Sequence, residues 1–398
     1  MEWVTATARH KEEQRKMRVV WINKSPWKKP GPIVYMGLLN ALSFAWHGVP
    51  TDFFVGAGAP SDTDQDLADY YALESHPALS IHRIDGTKGG RRGVYRAALE
   101  KIHQYLASDE PVLVLTREVG VLAPLVRLKK QFPRLKVIHE VHDYYLTTRH
   151  LPKPGWSARR RQWAERWLIP CIDGLICLTE AQRALYQQHF SSVPMTVLPL
   201  GTLDRSEPED LERRRLARRL IYIGHLHEYK GLSLIFEIAR QLNGHNVELQ
   251  CLGGDEGQVN ALRTRARDAG LAQVLGFEPF RAPADLHAYL AREASVGLVP
   301  LQDTFYSRYL TCPVKALDCL THGLPIVGSD LPSIRELARG AGELCQYNAA
   351  DQFVAECLAL LADAQHYQSR SQASWMRSRE LLWRTRAQRI LEFVGTAH

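Results

Sequence analysis

Short apolar runs alternate with longer amphipathic segments along nearly the whole chain. Runs of about five apolar residues between helical patterns are typical of βα units built around parallel sheets. The pattern therefore predicts an α/β protein with two series of strands. The first series is 18–22, 52–55, 79–84, 112–115, 136–141, 174–178 and 195–198, and the second is 219–223, 247–252, 274–277, 295–299, 325–328 and 342–344.

The segment 199–204 separates the two series. It is rich in turn residues, and the charged run 205–218 that follows contains no buried-strand pattern, so we expect an interdomain linker here. After Asp363 the pattern is helical almost to the end. The length of 398 residues exceeds the size at which a single hydrophobic core stops growing. The predicted domains are 1–200 and 201–375, followed by a last helix at 376–398.

Composition narrows the class of protein. The 7 cysteines form no Cys-x-x-Cys pair and have mostly apolar flanks, so we expect reduced thiols in a cytoplasmic protein and neither disulfides nor a zinc site. The chain starts with a polar, charged stretch, and no apolar run approaches the roughly 18 residues of a membrane span. We therefore expect no signal peptide and no spanning helix.

Positive charge is concentrated in the first half of the chain. Residues 1–200 contain 27 Lys and Arg against 19 Asp and Glu, a net charge of +8, whereas the remainder contains 23 against 24. The excess indicates either an anionic partner or membrane surface, or only a well-solvated protein surface.

The segment 309–336 has the most informative spacing. A helix pattern opens at Pro313, contains Lys315 and Asp318, and stops at Gly323, directly before a buried-strand pattern. A helix N-terminus offers free N–H groups to an anion, and a carboxylate one turn later can accept hydrogen bonds from sugar hydroxyls. The segment resembles the donor-nucleotide site of the family 4, GT-B-fold retaining glycosyltransferases, whose pattern is roughly Ser-Pro-x-Lys-x-x-Glu-x-x-x-x-Gly-x-Pro-Val-Val-x-Ser-Asp.

A second family motif lies at residues 220–231. An apolar strand is followed by Gly224 and His225, and then by Lys230 and a glycine at a helix start. The family pattern here is Gly-Arg-Leu and then Lys-Gly, in which Arg and Lys bind the donor diphosphate. Lys230 matches this pattern, and His225 stands where Arg is usual. Ligands lie beyond the carboxyl ends of the strands in an open α/β sheet, so we expect these side chains at such an edge.

The resemblance implies further donor-binding residues. The loop after strand 247–252 resembles the family's Gly-x-Gly loop, and residues 276–280 correspond to the segment that passes the nucleobase. For the second segment an ordinary βα loop is the alternative. The implied donor-binding set is Gly224, His225, Lys230, Gly253, Gly254, Phe277, Pro313, Val314, Lys315 and Asp318.

Two strands of the first half end in charged and imidazole side chains. Residues 112–118 end in Thr-Arg-Glu, and residues 136–143 end in His-Glu-Val-His-Asp. Polar groups at strand ends are more often site residues than core residues, because burial without partners is costly. Both segments resemble family segments that line the sugar-transfer site, which implies catalytic roles for Arg117 and His142 alongside Lys230. A core histidine is the alternative for His142.

A Pro/Gly loop near the start resembles the family loop that borders acceptor and diphosphate. A second basic loop, residues 88–93, is assigned to the same domain, although a solvated helix entry explains it slightly better. The acceptor-side candidates are Lys28, Lys29, Gly31, Glu118 and Asp143.

The resemblance implies an α/β GT-B fold, with two Rossmann-like parallel-sheet domains facing across a cleft and the last helix returning to the first domain. It implies transfer of a sugar, of the hexosyl type, from a nucleoside-diphosphate sugar to a hydroxyl acceptor with retention of configuration. We expect glycan, polysaccharide or glycolipid biosynthesis, no cofactor and no essential metal. We also expect an anionic glycan or lipid-linked acceptor, and no nucleic acid partner.

Three departures from the family pattern keep alternatives open. His225 replaces Arg, Asp318 replaces a Glu, and Leu310 stands where many members have the first Glu of a Glu-x7-Glu motif. The departures favour a catalytically silent GT-B partner subunit as one alternative. The other is a nucleotide-sugar 2-epimerase, which has the same fold and needs no separate acceptor.

Two patterns need separate explanations. Residues 62–66 have the Asp-x-Asp spacing of metal-dependent glycosyltransferases, but no apolar strand leads into them, so we interpret them as an acidic cluster at a helix start. The segment 156–167 contains three Trp and four Arg. Peripheral contact with an anionic membrane at its inner face is one hypothesis. An ordinary surface helix, as in most relatives, is the favoured one.

Overall fold

The computed structural model describes residues 17–85, 91–147 and 155–396. Within these residues the chain divides into two compact units. The first unit contains the chain up to Ala68, Leu73–Leu198 and the chain from Trp383 onward. The second contains Asp69–Ala72 and Pro199–Leu382.

The first unit is built on a seven-stranded sheet in which every pair of neighbours is parallel. The strand order is β3-β2-β1-β4-β5-β6-β7. The central strand β4 is buried at every position, because helices cover both faces of such a sheet. The strands are β1 (Arg18–Pro26), β2 (Thr51–Gly56), β3 (Leu79–Ile84), β4 (Val112–Thr116), β5 (Lys136–Glu140), β6 (Gly174–Cys177) and β7 (Met195–Val197).

Helices connect these strands and cover the sheet. Two of them use typical start signals: α1 begins with proline after Gly31, and α6 is capped by the Thr179 side chain, which accepts a hydrogen bond from the Gln182 N–H. The helices are α1 (Pro32–Ala45), α2 (Asp66–Asp69), α3 (Arg91–Ala107), α4 (Val119–Gln131), α5 (Trp156–Leu168) and α6 (Glu180–Gln187).

The second unit repeats this architecture with a six-stranded parallel sheet. The strand order is β10-β9-β8-β11-β12-β13. Its core includes the rings of Phe236, Phe277 and Phe353. The strands are β8 (Arg219–Ile223), β9 (Glu248–Leu252), β10 (Leu275–Glu278), β11 (Val296–Val299), β12 (Ile326–Ser329) and β13 (Gly342–Cys345), and the helices are α7 (Leu211–Leu216), α8 (Leu232–Leu242), α9 (Glu256–Asp268), α10 (Pro283–Arg292), α11 (Val314–Thr321), α12 (Pro332–Ala338), α13 (Ala350–Ala362), α14 (Ala364–Glu380) and α15 (Trp383–Thr396).

Every strand that the apolar pattern predicts is present. The largest difference in bounds is at β1, which continues to Pro26 because its pairing with β2 resumes there after an irregularity. The prediction of an α/β protein with two parallel sheets is confirmed.

The charged run 205–218 is not the plain linker expected from its composition. It contains α7, and the Arg214 guanidinium is buried. Arg214 donates hydrogen bonds to the carbonyl oxygens of His322 at 3.0 Å, Ala294 at 3.4 Å and Leu290 at 3.5 Å. These bonds fix the run to the second unit.

The expected helical end of the chain is interrupted at one place. Between α14 and α15, Leu382 forms a parallel bridge with Thr202. From Trp383 the chain belongs to the first unit, and α15 packs on α1. The predicted return of the last helix to the first domain is therefore confirmed. Among the helices that the structure describes, none is both long enough and apolar enough to cross a membrane.

Candidate functional site

The strand order of the second sheet reverses between the central strands β8 and β11. In an open α/β sheet, ligands bind beyond the carboxyl ends of the strands at such a switch point. The chain after β8 comes back to these strand ends at Gly231, which has a φ of 96°. A Cβ on Gly231 would lie 1.8 Å from the Pro300 carbonyl oxygen, so only glycine allows the Lys230 loop to approach the end of β11.

Lys230 lies in this loop, in a short 3-10 helix before α8. Its Nζ is 4.3 Å from the centre of the Tyr306 ring and 5.4 Å from that of Tyr229, both of which favour its charge. Burial lowers the pKa of Lys230 to about 8. Lys230 makes no ion pair with any residue that the structure describes.

Lys315 is the second ammonium group of this unit's site, on the first turn of α11. Its Nζ is buried, lies 3.6 Å from the centre of the Tyr222 ring and has no hydrogen-bond partner within the described chain. Burial lowers the pKa of Lys315 well below its ordinary value, and the Lys230 charge lowers it further. Two lysines that repel each other and have no carboxylate partner among the described residues are suited to bind an anion.

The glycine-rich loops lie beside the two lysines. A Cβ on Gly224 would lie 3.7 Å from the Lys315 Nζ, and one on Gly253 would lie 1.9 Å from the Gly224 carbonyl oxygen. Gly253 therefore serves first to let the loops after β8 and β9 pack together. Gly254 has a φ of 76°, which favours glycine independently of any ligand.

Asp318 lies in the middle of α11 and is buried. It forms no hydrogen bond with the described residues, and burial raises its pKa to about 7. Pro313 is the residue before the first turn of α11, followed by Val314, so the predicted helix start is confirmed. A buried carboxyl group without a partner is suited to accept hydrogen bonds from a ligand.

His225 belongs to an aromatic row. Its ring stacks on His227 with centroids 5.5 Å apart, and His227 stacks on Tyr229 at 5.4 Å. The edge of Phe280 meets His225 at 5.1 Å. His225 is exposed, so this row of stacked rings lies at the protein surface near Lys230.

The proposed base contact of Phe277 does not fit the structure. Its side chain is buried and stacks on Phe236, with ring centroids 5.8 Å apart. Side chains on β10 alternate between the core and the other face of the strand, and the Phe277 ring is on the core side. Its role is therefore packing. The aromatic ring of this segment that lies near His225 is that of Phe280, which is half-buried.

A buried charge network forms the candidate site of the first unit. Glu140, at the end of β5, accepts hydrogen bonds from the His142 Nε2 at 2.6 Å, the Arg386 Nη2 at 2.6 Å and the Asn40 Nδ2 at 2.9 Å. Arg386 also donates to the Asn40 side-chain oxygen at 3.1 Å. Asn40 is on α1 and Arg386 on α15, so the last helix supports the loop after β5.

The network determines the state of His142. Burial alone would raise the pKa of Glu140, but Arg386 and the His142 hydrogen bond hold it below its ordinary value. A carboxylate can only accept, so the His142 Nε2 bears the proton. Burial and the Arg117 charge lower the pKa of His142, against the opposite effect of Glu140. The neutral ring therefore keeps its Nδ1 as an acceptor, and this nitrogen has no hydrogen bond to a described residue.

The remaining residues at these strand ends differ in their surroundings. Arg117 is close enough to His142 to affect its titration. The Glu118 carboxylate is buried, paired with Lys24 and bonded by the Tyr95 hydroxyl at 3.1 Å, so it is an internal ion pair and a poor acceptor-side group. Asp143 is exposed, and its carbonyl oxygen accepts a hydrogen bond from the Tyr186 hydroxyl.

The loop after β1 has less free charge than expected. The Lys28 Nζ lies 3.1 Å from Asp62 and 3.0 Å from Asp66, so its charge is compensated by carboxylates of the segment that follows β2. Asp62 and Asp66 therefore hold the loop that contains Lys28, in agreement with the interpretation of residues 62–66 as an acidic cluster at a helix start. Lys29 is exposed, and Gly31, with a φ of 88°, precedes α1. Residues 88–90 of the predicted basic loop 88–93 lie outside the described residues.

Sequence reasoning missed several residues of these sites. Glu140 lies within the segment 136–143, from which the sequence predicts only His142 and Asp143 as site residues. Tyr306 and Arg386 gave no local signal, because their roles arise from contacts with residues that are distant in the chain. The described part of the chain contains no group of three or more His, Cys, Asp or Glu that could hold a metal ion.

Two family models match the sequence. Residues 217–363 match the model described as glycosyl transferases group 1, and residues 38–201 match the glycosyl transferase 4-like domain. A comparison with curated proteins finds no match.

Solved structures show the same fold. Sucrose-phosphate synthase from Thermosynechococcus elongatus is 17% identical with a TM-score of 0.72, and the match covers 96% of this chain and 98% of that one. HepE from Anabaena in complex with UDP-glucose is 15% identical with a TM-score of 0.67, covering 95% and 99%. A TarM variant from S. aureus, crystallised with UDP, is 10% identical with a TM-score of 0.71, covering 96% and 100%. The predicted GT-B fold is confirmed.

Replacing Arg386 with Met tests the network around Glu140. Removing one partner of a buried ion pair leaves an uncompensated charge, so the free energy of unfolding should fall by about 3–5 kcal/mol. The pKa of His142 should rise, because protonated His142 would become the main cation facing Glu140. Chemical denaturation and NMR titration of the ring measure both effects. Arg389→Met, an exposed position on the same helix, is the control; an unchanged His142 titration in Arg386→Met would contradict the assignment.

Proposed function

The chain belongs to the group 1 glycosyltransferases with a glycosyl transferase 4-like first domain, and we propose that it transfers a hexosyl group from a nucleoside-diphosphate sugar to a hydroxyl with retention. The observation that supports the donor class most directly is that Lys230 and Lys315 form no ion pair with any described residue. A bound diphosphate would be the counter-ion for both lysines. HepE and TarM were crystallised with UDP-glucose or UDP, which makes a uridine nucleotide the first donor to test.

The lysines would act mainly on the leaving group. As the bond between the sugar and the diphosphate breaks, negative charge grows on the phosphate oxygen, and fixed cations in a partly desolvated site stabilise it. His225 places an imidazole ring where the family has Arg, so Lys230 and Lys315 carry the electrostatic role. Asp318 would accept hydrogen bonds from donor hydroxyls.

The first unit would contribute His142 and Arg117 to sugar transfer. The free Nδ1 of His142 is suited to accept a hydrogen bond from a sugar hydroxyl. Glu140, the buried carboxylate beside it, is already bound by Arg386 and Asn40, so it is poorly suited to form a covalent sugar intermediate. This supports a front-face mechanism: the acceptor oxygen bonds to the anomeric carbon on the side that the phosphate leaves, and the acceptor proton passes to a phosphate oxygen.

The departures at His225, Asp318 and Leu310 also fit a silent partner subunit. Slow hydrolysis of a UDP-sugar by the purified chain would support the transferase, because water can replace the acceptor. Isomerisation of the sugar would instead indicate the 2-epimerase. Binding without any turnover would favour the silent subunit.

Lys230→Ala should lower the turnover of donor by about a hundredfold without unfolding the protein, because it removes a fixed cation from the leaving group, worth on the order of 3 kcal/mol in the transition state. Initial rates of donor hydrolysis or transfer measure the change. Lys130→Ala, at an exposed lysine on α4, is the matched control. Activity of Lys230→Ala within threefold of the wild type would exclude this loop from the site.

Donor binding should take up protons. In the free protein the Lys230 pKa is about 8 and that of Lys315 is well below its ordinary value. A bound diphosphate stabilises both charged forms and raises both pKa values, so affinity should be highest below pH 8 and fall as pH rises through that value. Calorimetric titration with UDP-glucose in buffers of different ionisation enthalpy counts the protons. Lys315→Met should reduce the uptake; buffer-independent heats in the wild type would contradict the prediction.

Transfer should not need a bound metal ion, because the two lysines would supply the positive charge that a metal gives to other glycosyltransferases. EDTA should therefore leave donor turnover unchanged. Complete loss of turnover in EDTA, with recovery on addition of manganese or magnesium, would show that the lysines are not sufficient.

The acceptor is proposed to be an anionic glycan or a lipid-linked glycan, on the strength of the net charge of +8 in residues 1–200. Lys28 does not add to this support, since Asp62 and Asp66 compensate it, but Lys29 does. Raising ionic strength from about 0.01 to 0.15 M shortens the Debye length from roughly 30 to 8 Å, so the acceptor KM should rise. Lys29→Gln should raise it at low salt and Lys130→Gln should not. A KM independent of salt would refute an anionic acceptor.

A further inference from the structure

Helix α5 exposes its largest apolar side chains. Trp156 is 83% exposed, and Trp163 and Trp167 are each 59% exposed. The opposite side of the helix buries Ala158 and Glu165 instead. A helix on a protein surface ordinarily turns its apolar face inward and its polar face to water, so this arrangement is reversed.

The three tryptophans share one face. Trp163 and Trp167 follow Trp156 by close to two and three whole turns of an α-helix with 3.6 residues per turn. The exposed Pro170 and Cys171 continue the surface in the next turn of chain. Tryptophan side chains of 150–250 Å² each make a patch of several hundred Å², which monomeric proteins rarely leave in water without a use.

Arginines flank the tryptophans. Arg159 and Arg160 are each three or four residues from both Trp156 and Trp163, which places them beside these rings on the helix surface. They are exposed and form no ion pair with any residue in the described ranges, and the same holds for Arg166 near Trp167.

The one acidic residue of the helix does not offset this charge. Glu165 is buried and accepts hydrogen bonds from the Tyr145 N–H at 2.7 Å and the Tyr186 hydroxyl at 3.2 Å. Burial raises its pKa to about 8. The exposed face of α5 is therefore aromatic and purely cationic.

We propose that this face of α5, formed by Trp156, Trp163 and Trp167 with their flanking arginines, docks on a membrane surface that contains anionic lipid. Tryptophan rings are favoured at the headgroup level of a bilayer, where the ring body is apolar and the indole N–H stays hydrated. Arginines beside them bind lipid phosphates and gain from the negative surface potential. A second copy of the chain is a poorer partner, because a symmetric contact would bring two sets of uncompensated arginines together. This inference does not depend on the proposed transfer reaction.

Cosedimentation of the intact protein with vesicles tests the proposal. Vesicles of phosphatidylcholine with about 30% phosphatidylglycerol are compared with pure phosphatidylcholine, over a series of salt concentrations. Binding is expected to the anionic vesicles and to weaken with salt. Arg159→Gln with Arg160→Gln should lower the partition coefficient about fivefold for each arginine. Trp163→Ala with Trp167→Ala should lower it by at least about tenfold.

The controls change exposed residues of the second unit. Met376→Ala and Arg267→Gln remove an exposed apolar and an exposed basic side chain, and both should bind like the wild type. All variants are checked for an unchanged thermal unfolding curve. Quenching of tryptophan fluorescence by lipids brominated near the headgroup should be strong in the wild type and in the controls, and weak in the double tryptophan variant.

Three results would overturn the proposal. The first is absence of binding to the anionic vesicles, and the second is binding that the tryptophan variant retains in full. The third is a dimer in sedimentation velocity that the tryptophan variant abolishes, because it would assign the face to a second copy of the chain.

Discussion

The order of strands in the two parallel sheets is the constraint on which the candidate sites depend. Each order reverses next to its first strand, at β1 and β4 in one unit and at β8 and β11 in the other. The connecting helices leave to opposite faces at a reversal, and the carboxyl ends of the strands there are where ligands bind in open α/β sheets. Glycines allow the loops to come close to these strand ends. Gly231 beside Pro300, and Gly253 beside Gly224, permit contacts that any Cβ would prevent.

The two units treat buried charge in opposite ways. In the first unit Glu140 is fully compensated by Arg386, Asn40 and His142, so its cost of burial is met within the protein and His142 is held in one tautomer. In the second unit Lys230 and Lys315 have no carboxylate partner among the described residues, and burial lowers the pKa values of both. A network of compensated charges is rigid, whereas a pair of lysines without counter-ions favours the binding of an anion. This difference is the physical basis for proposing that the second unit binds the donor.

Much of the candidate site was predictable because its motifs are local. Lys230, Lys315 and Asp318 follow strand and helix signals at fixed spacing. Lys230 lies in the loop that approaches the end of β11, and Lys315 and Asp318 lie on the expected helix α11. Phe277 failed because alternation along β10 turns its ring into the core. Lys28 and Glu118 failed as free charges because their partners, Asp66 and Lys24, lie in other segments. A sequence pattern shows that a charge exists but not whether something compensates it.

The sequence by itself determined the class of fold, the strands and the motif positions, because apolar periodicity and turn residues act over a few neighbouring residues. Only the tertiary structure decided which side chains are paired, buried or exposed. Arg386 reaches Glu140 from 246 residues away, and Arg214 turns inward from a run that looks like a solvated linker. The tryptophans of α5 are equally apolar in either orientation, and it is the packing of Ala158 and Glu165 that turns them outward. Long-range contacts of this kind have no local signature, since their free energy depends on residues that the chain brings together only when it folds.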